Sequence, residues 1–375
     1  MVGATVPTTT VETAGTTTET TAETTAETTG PGGGNSTGGS GGADLGGGDV
    51  SCPTKPPFDE TDAALVEKCT RPVVVGVGNG LRRVASENGQ TWDVDEWFPD
   101  GMPDQNENSH RDVLVANGIV VIAGDGGLLV SLDGGQTYST QSSERLHDAG
   151  VGFFQGAFWV VSSGGTFSSS DGTNWTTWPG DTPLPGDLPG KFSADSIATT
   201  SSKLVAMSGR DNKYRIFDGA TWTEYDFGPE LGSLARISFG ADRFAIVSWA
   251  CCDESMFAGL RANSSDGVSW NVVTNASPGA PDYRFGDLIW DGQQFFATAS
   301  QYDNRGYTST DGLDWVPRTM TVSLGTITVL DGVYIGSNGA TLYRSTDGTT
   351  WTMTHTAVGD DNWGFTRLAS GRVLQ

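Results

Sequence analysis

Two adjacent cysteines, a few arginines and a set of aromatic residues in polar stretches are the side chains here whose types could do chemistry. Cys251 and Cys252 stand together in Ser248-Trp-Ala-Cys-Cys-Asp-Glu-Ser-Met. Neighbouring Cα atoms lie about 3.8 Å apart, below the usual disulfide span, so a bond between them would close a strained ring with a stiff, apolar sulfur surface. With no Cys-x-x-Cys spacing, redox catalysis is disfavoured and a ligand-contacting ring is the expectation. Arg111, Arg236 and Arg284 are candidates for an anion clamp, because a planar guanidinium matches a carboxylate bidentately. Trp97, Trp178, Tyr283 and Trp363 lie in long connecting stretches and could form an aromatic platform, or simply pack over neighbouring elements. The three histidines, His110, His147 and His355, have no metal-ligand spacing, so no metal is expected. Asp360-Asp361 allows at most a weak calcium contact, with no cofactor otherwise implied.

What must position these residues is a phrase that recurs seven times. It reads Ser86-Glu-Asn88-Gly-Gln-Thr-Trp92, Ser131-Leu-Asp133-Gly-Gly-Gln-Thr-Tyr138, Ser169-Ser-Asp171-Gly-Thr-Asn-Trp175, Arg215-Ile-Phe-Asp218-Gly-Ala-Thr-Trp222, Ser264-Ser-Asp266-Gly-Val-Ser-Trp270, Ser309-Thr-Asp311-Gly-Leu-Asp-Trp315 and Ser345-Thr-Asp347-Gly-Thr-Thr-Trp351. Asp-Gly or Asn-Gly between β-rich runs predicts a tight hairpin, since Gly accepts a positive φ and Asp or Asn bonds its own backbone. The aromatic that follows opens the outgoing strand, where it can pack on the next unit. Successive Asp/Asn positions are 45, 38, 47, 48, 45 and 36 residues apart. That period, with several short strands per unit, predicts an all-β, seven-bladed β-propeller of four-stranded antiparallel blades. In the second unit Asp112-Val-Leu-Val-Ala, Ile119-Val-Val-Ile-Ala, Leu128-Leu-Val-Ser and Gln136-Thr-Tyr-Ser supply the four strands.

The phrase resembles the Asp-box of sialidase-type (BNR) and related secreted β-propellers, over about residues 73–375. Ser131 to Tyr138 carries the full spacing, five others are one residue shorter, and the box at Asp218 lacks its Ser. The resemblance implies that Asn88, Asp133, Asp171, Asp218, Asp266, Asp311 and Asp347 are structural turns on the face opposite the ligand site. It also raises sialidase-like hydrolysis, with Arg111, Arg236 and Arg284 on a substrate carboxylate and Tyr283 as nucleophile. The family's Arg-Ile-Pro signature is missing, and Arg215-Ile216-Phe217 lies inside a box hairpin. The preferred expectation is therefore a non-catalytic propeller for a glycan or other extracellular polymer, with a sialidase-like glycoside hydrolase or a protein-interaction scaffold as alternatives.

The flanks complete the plan. Residues 1–50 are Thr/Glu- then Gly-rich, without aromatics, so they cannot bury enough surface to offset ordering entropy and read as a disordered tether. Such leaders resemble those of bacterial surface lipoproteins, which implies an extracellular or surface-tethered head with a lipid anchor upstream; no signal segment is visible in the chain. Residues 51–72 form a linker in which Asp59 to Cys69 predicts one or two helical turns, clipped by a Cys52–Cys69 disulfide. Arg71 to Trp97 supplies three strands, and Phe365-Thr-Arg-Leu-Ala, ended by Ser370-Gly371, would close the ring as the fourth, with Arg372 opening a further strand. The net charge is −24, and the first fifty residues hold six acidic and no basic groups, so the rest carries −18. That charge excludes nucleic acid as a natural partner, and the lack of a long apolar run excludes a helical membrane span.

Overall fold

The computed structural model describes residues 51–98, 108–178, 192–229, 231, 234–249, 259–274, 285–299, 304–359 and 364–375. Asp49–Gln375 is one compact unit. Among the described residues there are seven four-stranded antiparallel sheets and one short helix. The fold is a seven-bladed β-propeller.

From centre to rim, the second blade runs His110–Ala116, Ile119–Gly124, Gly127–Ser131 and Ser139–Ser142. The other blades repeat this plan, and their inner strands are Gly150–Phe154, Ser196–Thr199, Leu234–Gly240, Phe285–Trp290 and Thr326–Leu330 for blades 3 to 7. Second strands are sandwiched between neighbouring sheets and read as continuous apolar runs: Ile119–Gly124, Leu204–Ser208 and Phe295–Ala299 are buried throughout. Outermost strands such as Thr176–Thr177 and Thr352–Thr356 see water and are threonine-rich.

Each recurring phrase turns between the third and fourth strands of its blade. In the fifth, Gly267 N donates to Ser264 Oγ (2.8 Å), while Val268 N and Ser269 N donate to Asp266 Oδ1 (2.8 and 2.7 Å). Gly267 has φ +74°, which no β-carbon tolerates cheaply. The box at Asp311 repeats these bonds. Box glycines also touch the preceding blade: a Cβ at Gly312 would fall 2.5 Å from that of Ala245. The box aromatics then cap seven apolar clusters, each filled from two adjacent blades; Trp315 joins Ala245 and Val247 of blade 5 to Phe285 and Phe295 of blade 6.

Ring closure is made by the chain's two ends. Phe365–Leu374 is the innermost strand of blade 1 and pairs with Thr70–Gly78, Thr70 opposite Leu374 and Val73 opposite Gly371. One continuous strand replaces the break expected at Ser370-Gly371. Gly371 stays in register there because Val115 of blade 2 leaves no room for a side chain, a Cβ falling 2.7 Å from its Cγ1. Ahead of blade 1, Asp62 caps the helix Ala63–Cys69 through Ala64 N and Leu65 N, and Cys52 is bonded to Cys69. Phe58 is buried against Gly118, and its N–H donates to Asn117 O in the turn between the first two strands of blade 2. In an antiparallel blade that turn lies on the same face as the box turns, so the chain enters the propeller from the box face.

Candidate functional site

Inner strands begin on the face opposite the boxes, and their first residues form an axial mouth. Asp112, Ser196, Arg236, Asp287 and Arg367 occupy matching positions, each followed by a branched apolar residue that points into an interblade core. The carboxylates reach across blade boundaries: Asp112 accepts from Val151 N (2.8 Å) and Asp287 from Ile327 N (3.1 Å). Ser196 Oγ accepts from Ile237 N (3.3 Å) in the same way.

Arg367 fills the centre. Its Nη1 donates to Asp287 Oδ1 at 2.9 Å, its Nε lies 3.3 Å from Asp112 Oδ1, and its Nη2 donates to the Asp195 carbonyl at 2.9 Å. Arg236 Nε stands 3.6 Å from Asp287 Oδ1, beyond hydrogen-bond reach, and its Nη1 donates to Ala235 O at 3.1 Å. Burial, together with the like charge of Arg367, pulls the Arg236 guanidinium down to about 10. Burial also pushes the Asp112 carboxyl up, against the pull of Arg367, and does the same to Asp195 against a bond from Gly209 N. Below this mouth a channel of about 450 Å³ runs along the axis, its far end lined by Phe239, Ile289, Trp290 and Val329.

Of the arginines singled out in the sequence, Arg236 is axial and Arg111 is not grouped with it. Arg111 Nη2 turns to the buried Asp125 at 3.1 Å, which also has His147 Nδ1 at 2.6 Å. The arginine that does meet Arg236 is Arg367, together with Asp195 and Asp287. Aligning the inner strands on the polar residue before each branched apolar one would have found Arg367 and Asp287, with Asp195 one residue before the aligned Ser196. Trp97 lies against Gly80 and Gly359, whose missing side chains make room for its ring. Trp178 packs on Trp159 and Phe217, ring centres 5.4 and 5.2 Å apart. Both are therefore spent largely on packing. Cys251, Cys252, Tyr283, Arg284, Trp363 and Asp360-Asp361 lie outside the described residues. No group of three or more possible metal ligands occurs among the described residues, and no helix there is long and apolar enough to cross a membrane.

A second cavity, of about 580 Å³, opens beside the box turn of blade 7 and is lined by Gln90, Arg344, Thr350, Thr352, Met353 and Thr354, with the box residues Ser345 to Asp347. It lies on the box side of the ring and draws on blade 1 through Gln90. Its signal in the sequence is a charge, Arg344, directly before a box Ser, where four other boxes have Ala85, Val130, Ser168 and Thr308.

The molecule is thus a closed seven-bladed propeller with a self-paired axial mouth and a hydroxyl-lined groove at the seam between its last and first blades. No family model and no curated protein matches the chain. A solved structure titled "Crystal structure of Nidogen/Laminin Complex" is similar to it at 10% identity and a TM-score of 0.44, over 80% of this chain and 98% of that one.

Proposed function

We propose that the protein is a non-catalytic binding propeller of the Asp-box type, held outside the cell by its N-terminal segment and recognising a glycan or another extracellular polymer. The observation that carries this reading is the pairing at the axial mouth. A hydrolase that grips a carboxylated sugar needs guanidinium groups free to receive it. Here, among the described residues, Arg236 is the one axial guanidinium without a hydrogen-bonded carboxylate, whereas Arg367 is committed to Asp112 and Asp287, and Arg111 to Asp125. Removing them to a ligand would strand buried carboxylates, at a cost of several kcal/mol.

Two further features support the setting. The Cys52–Cys69 bond suits an oxidising compartment. The acidic net charge of −24 suits a soluble head outside the cell.

The test is a glycan array together with fluorogenic glycosides, applied to the full chain with and without reductant. Saturable binding without release of product is the expected result. Turnover of any glycoside would establish the sialidase-like alternative. Loss of binding on reduction, with binding retained in Cys52→Ser/Cys69→Ser, would assign the contact to the Cys251–Cys252 region.

A further inference from the structure

The boxes of blades 4 and 7 form a natural internal comparison. Both place an arginine three residues before the box Asp: Arg215 before Asp218, and Arg344 before Asp347. In blade 4 the residue across the strand pair is Glu224, and Arg215 donates to it from Nε (2.9 Å) and Nη2 (2.8 Å). In blade 7 the residue across the pair is Thr352. The Arg344 side chain makes no ion pair or hydrogen bond among the described residues, and its Nε is buried without an acceptor.

A buried guanidinium N–H without an acceptor costs free energy unless something supplies one. Arg344 faces the groove of about 580 Å³ between blades 7 and 1, within the size range of ligand sites. The remaining lining suits a sugar. Thr350, Thr352 and the Gln90 amide offer hydroxyl and amide partners, and Met353, 61% exposed, offers an apolar surface. Asp347 also lines the groove, but its Oδ1 is occupied by Ser345 Oγ, Thr349 N and Thr350 N.

We propose that this groove is a subsite for a carboxylated sugar unit of an acidic polysaccharide, with Arg344 bound to the uronate carboxylate and the threonine hydroxyls to the ring hydroxyls. The inference rests on the glycan-binding reading above and names its ligand class and place. One guanidinium matches one carboxylate per sugar. A sulfated polyanion, with more than one charge per sugar, is disfavoured relative to it by the chain's net charge of −24.

The experiment is calorimetric titration of the full chain with oligogalacturonate, with neutral dextran and dextran sulfate alongside, for the parent, Arg344→Gln and Thr352→Glu. Thr352→Glu copies the blade 4 pair into blade 7, so it should occupy Arg344 while leaving thermal stability unchanged or raised. Expected is saturable oligogalacturonate binding that either substitution weakens by an order of magnitude or more. Parent-like oligogalacturonate binding in both variants would overturn the subsite. So would equal affinity for dextran, or a preference for dextran sulfate. Binding of neutral glycans alone would end this inference and leave the glycan reading standing, whereas failure of every glycan on the array and in solution would end both.

Discussion

Arg367 donates to Asp287 at 2.9 Å across 80 residues of chain, joining the last strand of the protein to its sixth blade. The same guanidinium lies 3.3 Å from Asp112 of the second blade and bonds the carbonyl of Asp195 at the fourth. One side chain therefore ties four blades at the axis, counting its own. Such a bond is weak as an isolated pair and strong as a hub, because its loss takes the nearest counter-ion from two buried carboxylates and leaves them the more distant Arg236.

Replacing Arg367 by Ala should lower unfolding free energy by roughly 3–5 kcal/mol. Backbone N–H groups still bond Asp112 and Asp287, so both carboxyl groups stay buried at the mouth when the guanidinium goes. Adding Asp287→Asn to Arg367→Ala should recover part of the loss. Urea unfolding of the parent, single and double variants measures both effects. A single variant within about 1 kcal/mol of the parent would show that the hub contributes no more than a surface pair.

Acid should unfold the protein through its box turns. Bonds from Ser269 N and Val268 N hold the Asp266 carboxyl down at about 2, against an ordinary 3.8. Bonds led by Asn174 N and Thr350 N hold Asp171 and Asp347 below the ordinary range as well. A carboxyl depressed in the folded state contributes stability above its unfolded value, and that contribution is lost as the pH falls through the folded value. The window therefore runs from about pH 4 down to about pH 2. Asp112 and Asp195, pushed up by burial, act in the opposite sense, since their protonation favours the fold. Asp266→Asn keeps an acceptor oxygen and removes the charge. It should be less stable than the parent at neutral pH, with the gap closing towards pH 2. A gap of equal size at both ends would mean that the carboxylate charge adds nothing to the turn.

The fold was legible because its signal is both local and repeated. Asp-Gly between β-rich runs fixes a turn wherever it stands, and seven such turns at near-constant spacing leave few architectures open. The axial mouth was only half legible. Arg236 announced itself as a charge at the start of an inner strand, but Arg367, in the strand expected to close the ring, did not, because which charges meet across the axis depends on contacts between blades that no local pattern encodes. Trp97 and Trp178 illustrate the converse. Their surroundings in sequence are polar, yet Gly80 and Gly359, and Trp159 and Phe217, come from distant parts of the chain to cover them. Arg344 needed one more comparison, between the partners across two hairpins.

Reducing or removing the Cys52–Cys69 bond should loosen the entry segment and leave the ring intact. The bond spans 17 residues, and a closed loop of that size stabilises by roughly 3 kcal/mol in the chain-entropy description. What it holds in place is Phe58 on the Asn117-Gly118 turn, a contact confined to blade 2. In Cys52→Ser/Cys69→Ser, amide exchange should quicken across residues 52–68 and at Gly118. The second strands Ile119–Gly124 and Phe295–Ala299, buried between sheets, should keep their protection. Faster exchange in those strands would make the clip part of the global fold.

Closure by the C-terminal strand makes the last eleven residues indispensable, out of proportion to their number. Phe365–Leu374 pairs with Thr70–Gly78 along its whole length and supplies Phe365, Leu368 and Val373 to the cores on either side of blade 1. Ending the chain at Gly364 would expose the edge of Thr70–Gly78, a strand almost wholly buried in the intact ring, and remove Arg367 with it. An unpaired, apolar edge of that length is a template for association between chains. The truncated chain should therefore be recovered as aggregate or as species larger than a monomer in size-exclusion light scattering. A synthetic peptide of residues 364–375, present during refolding, should restore monomer in proportion to its concentration, because binding to the folded ring alone draws the equilibrium towards it. A truncated chain that stays monomeric, with unchanged unfolding in urea, would show that three strands suffice for blade 1 and that the terminal strand is dispensable.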